Sequence, residues 1–131
     1  MDEYGPLTKK VIEYDDTVRR LVSEVKSPED WAPLGEFLAI DEFERIGPFL
    51  DKQDWPQYAE MVNGWAQGVQ SFETTVRRIS ELANRVYFEV EERHLYGEDW
   101  LVVNSMSVFE FNEDGKVRHL DVYLQSAPLT G

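Results

Sequence analysis

Residues 84–125 read NRVYFEVEERHLYGEDWLVVNSMSVFEFNEDGKVRHLDVYLQ. Val86, Phe88 and Val90 point one way along this stretch and Tyr87, Glu89 and Glu91 the other, the period of a strand with one buried face. Tyr96-Gly97-Glu98-Asp99 reads as a turn. Asn112-Glu113-Asp114-Gly115 reads as a hairpin turn in which glycine supplies a positive φ. The two turns divide the stretch into three strands, from Asn84 to Leu95, from Trp100 to Phe111 and from Val117 to Gln125. Phe72 to Leu82, just upstream, has its own alternation and adds a fourth.

Toward the N-terminus the period changes to 3.6. Val11, Tyr14, Val18, Leu21, Val22 and Val25 recur three and four apart, which predicts an amphipathic helix from about Leu7 to Lys26. Ser27, Pro28 and Asp30 form a helix-start signal. A second helix is expected from Pro28 to about Leu38, burying Trp31, Leu34, Phe37 and Leu38. Asp41 to Ile46 alternates polar and apolar and ends at Gly47-Pro48, so a short strand is expected there. A third helix is expected from about Pro56 to Gln67, with Tyr58, Met61, Val62 and Trp65 on one face. Helices followed by an antiparallel meander make an α+β class in a single domain over residues 1–131.

Composition narrows the chemistry. The chain has no cysteine, which excludes disulfides, thiolate nucleophiles and cysteine-bound metals. Two histidines argue against a metal site built from imidazoles alone. A net charge of −13 argues against nucleic acid and anionic lipid as partners. No run reaches the length of a membrane span. The opening MDEYGPLTKK is acidic and lacks an apolar core, so no secretory leader is expected and the cytoplasm is the expected compartment.

Three segments together resemble the last strands of the nuclear transport factor 2-like superfamily: Arg85 to Glu92, Ser107 to Val117 with its Asp114-Gly115-Lys116-Val117 turn, and Leu120 to Leu124. Phe37 to Arg45 is similar to its passage from second helix to first strand. That superfamily includes SnoaL-like polyketide cyclases, ketosteroid isomerases and limonene-epoxide hydrolases. The resemblance implies three N-terminal helices on a strongly curved antiparallel sheet that encloses a cone-shaped apolar pocket. It also implies a homodimer through the convex sheet face, where Tyr87, Trp100, Val102, Met106, Val108 and Tyr123 would need a cover.

The same resemblance assigns facings. Phe88, Val90, Glu92 and His94 would point inward from one strand, and Ser105, Ser107 and Phe109 from the next. Arg118, Leu120, Val122 and Leu124 would point inward from the last. Phe43 and Arg45 on the short strand and Met61, Val62 and Trp65 on the third helix would complete the wall. The catalytic sets of the named enzymes are not reproduced. Arg45 stands where ketosteroid isomerases carry an aspartate base, and Ser107 where they carry an oxyanion-binding acid. Glu92 falls on one aspartate of the epoxide-hydrolase set, while Val90 and Val122 replace its arginine and second aspartate.

Each candidate keeps two readings. Glu92 is a general acid or base tuned by burial, or the partner of Arg45 or Arg93. Arg45 grips an anionic oxygen with its fork of donors, or forms a structural ion pair. His94 shuttles protons, or is solvated at its strand end. Ser105 and Ser107 orient a substrate, or leave room for one. The function expected is cofactor-independent acid–base chemistry by Glu92, Arg45 and His94 on a hydrophobic small molecule. Cyclase, dehydratase, isomerase and epoxide hydrolase all fit, with apolar or polycyclic ligands preferred over phosphorylated ones. The alternative is a non-catalytic ligand-binding or dimerisation module.

Overall fold

Helix α1 (Pro6–Leu21) opens on a proline, whose fixed φ and missing N–H suit a first helical position. Arg19 and Arg20 in its last turn complement the helix dipole. The helix expected to reach Lys26 ends instead at Leu21. Val22 and Val25 continue the apolar stripe from a turn and are still buried, so the periodicity reports burial beyond the helix end. The computed structural model describes residues 4–126. Residues 1–3 and 127–131 of the expected domain lie outside the described residues.

Ser27 and Asp30 form the expected capping box, but the chain beyond it makes a single 3₁₀ turn, Pro28–Trp31, and then one turn of helix, α2 (Ala32–Gly35). Pro33 has no N–H to give the Glu29 carbonyl, so an α-helix cannot run through this segment. Gly35 lets α2 approach Trp55 closely; a Cβ there would sit 2.9 Å from the indole ring. Helix α3 (Trp55–Gly68) starts from a reciprocal cap in which the Gln57 amide donates to the Asp54 side chain at 2.9 Å.

The strands are β1 (Glu44–Ile46), β2 (Lys52–Gln53), β3 (Ser71–Leu82), β4 (Arg85–Tyr96), β5 (Asp99–Phe111) and β6 (Val117–Ser126). They form one six-stranded sheet in the order β2-β1-β6-β5-β4-β3. The β3-β4-β5-β6 meander is antiparallel, but β1 runs parallel to β6, with Arg45 opposite Leu120. The sheet is therefore mixed, and it is open, with β2 and β3 as its edges. This corrects the strongly curved antiparallel cone expected from sequence. Alternation reveals which residues share a face; it carries no information on the direction of the neighbouring strand.

Helices α1 and α3 pack on the face that carries Val86, Phe88, Val90, Phe109 and Leu120. Trp31, Leu34, Val11, Val86 and Val117 are the largest fully buried side chains. Trp100, Val102 and Tyr123 on the opposite face are more than 40% exposed. Two bulges adjust the faces: one in β3 between Val76 and Arg78, the other where β5 meets β6 between Glu110 and Phe111. The second pairs Phe111 with Val117 and Glu110 with His119, so Arg118 is the extra residue. Val117 takes the inward place expected for Arg118, which binds Glu110 on the outer face at 3.0 Å.

Candidate functional site

A cavity of about 130 Å³ lies between α1, α3 and the inner sheet face. Three larger depressions lie elsewhere on the described surface: one on the outer sheet face beside Arg78 and Glu89, one beside Lys10 and Lys116, and one beside Pro48, Leu50 and Tyr123. A dry cavity of about 150 Å³ takes benzene, so one of this volume suits a compact body.

Of the residues named from sequence, the cavity wall brings together Arg45, Phe88, Val90, Glu92, Ser105, Ser107, Phe109, Leu120 and Val122. Phe43 lies behind the wall, buried and stacked on Tyr58. Val62 belongs to the core, Met61 is 39% exposed, and Leu124, expected inward, is 43% exposed. Trp65 and His94 stand behind Glu92, and Arg118 is on the other face. The wall also contains Tyr14, Asp15, Val18, Tyr58 and Phe72, which the sequence pattern alone did not single out. Their signal was present: Tyr14 and Tyr58 sit on the apolar stripes of two helices, and a buried tyrosine hydroxyl needs a partner.

That partner is the other tyrosine. The Tyr14 and Tyr58 hydroxyls are 2.6 Å apart in a buried contact. Burial, then the neighbouring Tyr58, pushes the Tyr14 phenol well above its usual range, so it stays protonated at neutral pH. Arg45 lies over the Tyr58 ring at 5.0 Å, and its Nη1 donates to the Gln53 amide oxygen at 2.8 Å. The Arg45 Nε is buried without a hydrogen-bond partner. Among the described residues no carboxylate is within ion-pair distance of Arg45.

Glu92 meets neither Arg45 nor Arg93. Leu120, beside Arg45, faces Phe109, whereas Glu92 faces Val103, six residues along β5. Glu92 instead takes a 2.9 Å hydrogen bond from His94 Nε2. The direction follows from Trp65: its indole N–H can only donate, and it approaches His94 Nδ1 at 3.1 Å and Tyr96 Oη at 3.1 Å. His94 Nδ1 is therefore an acceptor and the ring proton sits on Nε2, aimed at Glu92. His94 is only 8% exposed and is walled by Phe72, Trp65 and Tyr96, so its ring is fixed in place.

Asp15 forms a second acidic point. It accepts from Thr74 Oγ1 at 2.7 Å and from Arg19 Nε at 3.3 Å. Burial outweighs both and raises its carboxyl above the ordinary aspartate range. The site thus offers hydroxyl and guanidinium donors at one end, a histidine-braced carboxylate at the other, and an apolar wall between. Among the described residues no cluster of three or more His, Cys, Asp or Glu could hold a metal ion, and no helix is long and apolar enough to cross a membrane.

No protein-family model and no curated protein matches the sequence. Solved structures do match. A nuclear transport factor 2-like protein from Anabaena variabilis superposes with a TM-score of 0.75 at 14% identity, over 97% of this chain and 96% of that one. A SnoaL-like protein from Shewanella putrefaciens gives 0.75 at 10% identity, over 93% and 91%. An epoxide hydrolase of the limonene-epoxide hydrolase-like type from Mycobacterium tuberculosis gives 0.65 at 18% identity, over 92% and 86%. The chain has the nuclear transport factor 2-like fold.

Proposed function

We propose that the protein is an enzyme of the SnoaL-like type that performs cofactor-independent acid–base chemistry on a compact, largely apolar molecule held in the cavity. The observation that carries this reading is a carboxylate, Glu92, in the cavity wall with its orientation fixed from behind by His94 and Trp65. Glu92 is the proton acceptor and His94 its positioning residue. Tyr14, Tyr58 and Arg45 present donors that bind and orient a negatively charged or polar oxygen of the substrate. The reading includes a single domain over residues 1–131 acting in the cytoplasm. It also includes a homodimer in which a second copy covers Trp100, Val102, Met106 and Tyr123. The alternative, a non-catalytic binding module, is favoured by the small cavity volume of about 130 Å³, below the range of most substrate pockets.

The test is a panel of compact epoxides, enones and β-keto esters incubated with the protein, with products read by mass spectrometry. Turnover of one class that is abolished in Glu92→Gln supports the enzyme. Ligand capture with no turnover of any class supports the binding module.

A further inference from the structure

We infer that the Arg45 end of the cavity is a carboxylate subsite, so that the ligand is a compact monocarboxylic acid with an apolar body. This subsite rests on the reading of the cavity as the functional site and names the chemical class of what enters it.

Other arginines of this chain show what such a group ordinarily finds. Arg78 offers the Nε and Nη2 edge of its guanidinium to Glu89, with bonds of 2.6 and 2.9 Å to the two carboxylate oxygens. Arg85 turns the same edge to Glu110, at 3.2 Å from each nitrogen. This planar fork matches a carboxylate better than any other acceptor. Both pairs lie at the surface, where water could have served the arginine instead.

Arg45 has no such partner in a place where one matters more. Its Nη1 is taken by Gln53 and its face by the Tyr58 ring, which leaves the Nε and Nη2 edge with no acceptor among the described residues. An arginine cannot shed its proton. The residue is half-buried, but its Nε is fully buried with no acceptor, an unmet donor of the kind that folded proteins ordinarily satisfy.

The tyrosine pair adds a second donor. Two hydroxyls joined by one hydrogen bond use one proton between them, and the other stays free to donate. The same end of the cavity therefore carries a guanidinium edge and a spare phenolic proton, walled by Phe109, Leu120 and Val122, with Ser107 opposite Val122, and no carboxylate pairs with Arg45 there. One monoanionic group with two oxygens satisfies both. The remaining volume, about 130 Å³ in all, admits an apolar body of roughly ring size. The net charge of −13 repels anions at a distance, so selection of a carboxylate here is the work of this edge alone.

The test is calorimetric titration of the full chain with benzoate and with its neutral isostere benzamide, at low and high salt. The subsite predicts that benzoate binds at least about tenfold more tightly. It also predicts that salt does not weaken benzoate, because a buried pair is screened little and long-range repulsion is screened more. Arg45→Met should remove the preference while benzamide still binds, and Arg45→Lys should restore part of it. Benzamide itself checks that each variant retains its cavity. Equal binding of the two probes overturns the carboxylate subsite and leaves the cavity as a ligand site. Benzoate binding that falls steeply with salt, or survives Arg45→Met, assigns it to surface cations and overturns the subsite too. Binding of neither probe overturns both the subsite and the reading of the cavity.

Discussion

The outer and inner faces of the same sheet treat charge in opposite ways. On the outer face Arg78 meets Glu89, and Arg85 and Arg118 share Glu110. Their arginines are exposed and the pairing is local, between neighbouring strands, so it contributes little to stability. On the inner face Arg45 has no carboxylate, Asp15 is held against its own preference for ionisation, and Glu92 is braced by a histidine whose proton position is set by a tryptophan. Charges held in place beside a cavity by fixed neighbours are the feature on which the proposed site rests.

The sharpest way to break this comparison is to neutralise one glutamate on each face. Glu92→Gln keeps shape and removes ionisation, and turnover of an identified substrate should fall by about a hundredfold or more. Glu89→Gln, on the same strand but the other face, should leave turnover unchanged. Equal effects would end the distinction between the faces.

Next in size is association. The outer face is polar along its Arg78–Glu89 and Arg85–Glu110 rows but apolar at Trp100, Val102, Met106 and Tyr123, where Met106 lies opposite Tyr123. If a second copy covers it, Met106→Glu should weaken dimerisation by about tenfold or more, because it buries an unpaired charge. Sedimentation velocity reads this directly, and a monomer for the unmodified chain at high concentration would remove the dimer from the proposal.

A smaller effect separates function from scaffold at Arg45. An arginine kept for structure would cost stability when lost. A half-buried cation without a carboxylate partner, kept for a ligand, should not, so Arg45→Met should melt at the same temperature as the unmodified chain or a few degrees higher. A fall of many degrees would make Arg45 a structural residue.

The two faces also differ in how far the sequence foretold them. The strands from Ser71 to Ser126 were legible to within a residue or two because period-2 alternation and the Asn112–Gly115 turn are local signals. Strand β2, Lys52–Gln53, carries no pattern at all, and the parallel direction of β1 depends on β6, far along the chain. The bulge that turns Arg118 outward shifts the facing by one, which alternation cannot foresee. Within the site, Glu92 and Arg45 were legible as polar residues at inward positions. The Tyr14–Tyr58 contact and the missing partner of Arg45 were not, because each is a statement about side chains on different elements. Tyr14 and Tyr58 looked like any two members of helical apolar stripes.

The finest comparison is between Asp15 and Glu89, two carboxylates shifted in opposite directions. Burial raises Asp15 despite Thr74 and Arg19, with Asp16 adding a small push the same way. Arg78 lowers Glu89 through its hydrogen bonds and its charge. A carboxyl raised in the folded state binds its proton more tightly there than in the unfolded chain. Its contribution to stability is therefore full below the unfolded value of about 3.9 and is lost as pH rises through the folded value. Asp15→Asn removes that loss. The variant should gain on the unmodified chain as pH rises from below about 4 toward neutrality, by a few degrees of melting temperature. Glu89 has the reverse sign: its contribution is present above the unfolded value and lost as pH falls through the folded one. Glu89→Gln should therefore lose ground over the lower part of the same pH range, as pH rises toward the unfolded glutamate value of about 4.3, and by less, because its arginine partner is exposed. Measuring each variant against the unmodified chain at every pH cancels the titration of all other groups. Two difference curves of the same sign would show that the inner face does not strain its aspartate.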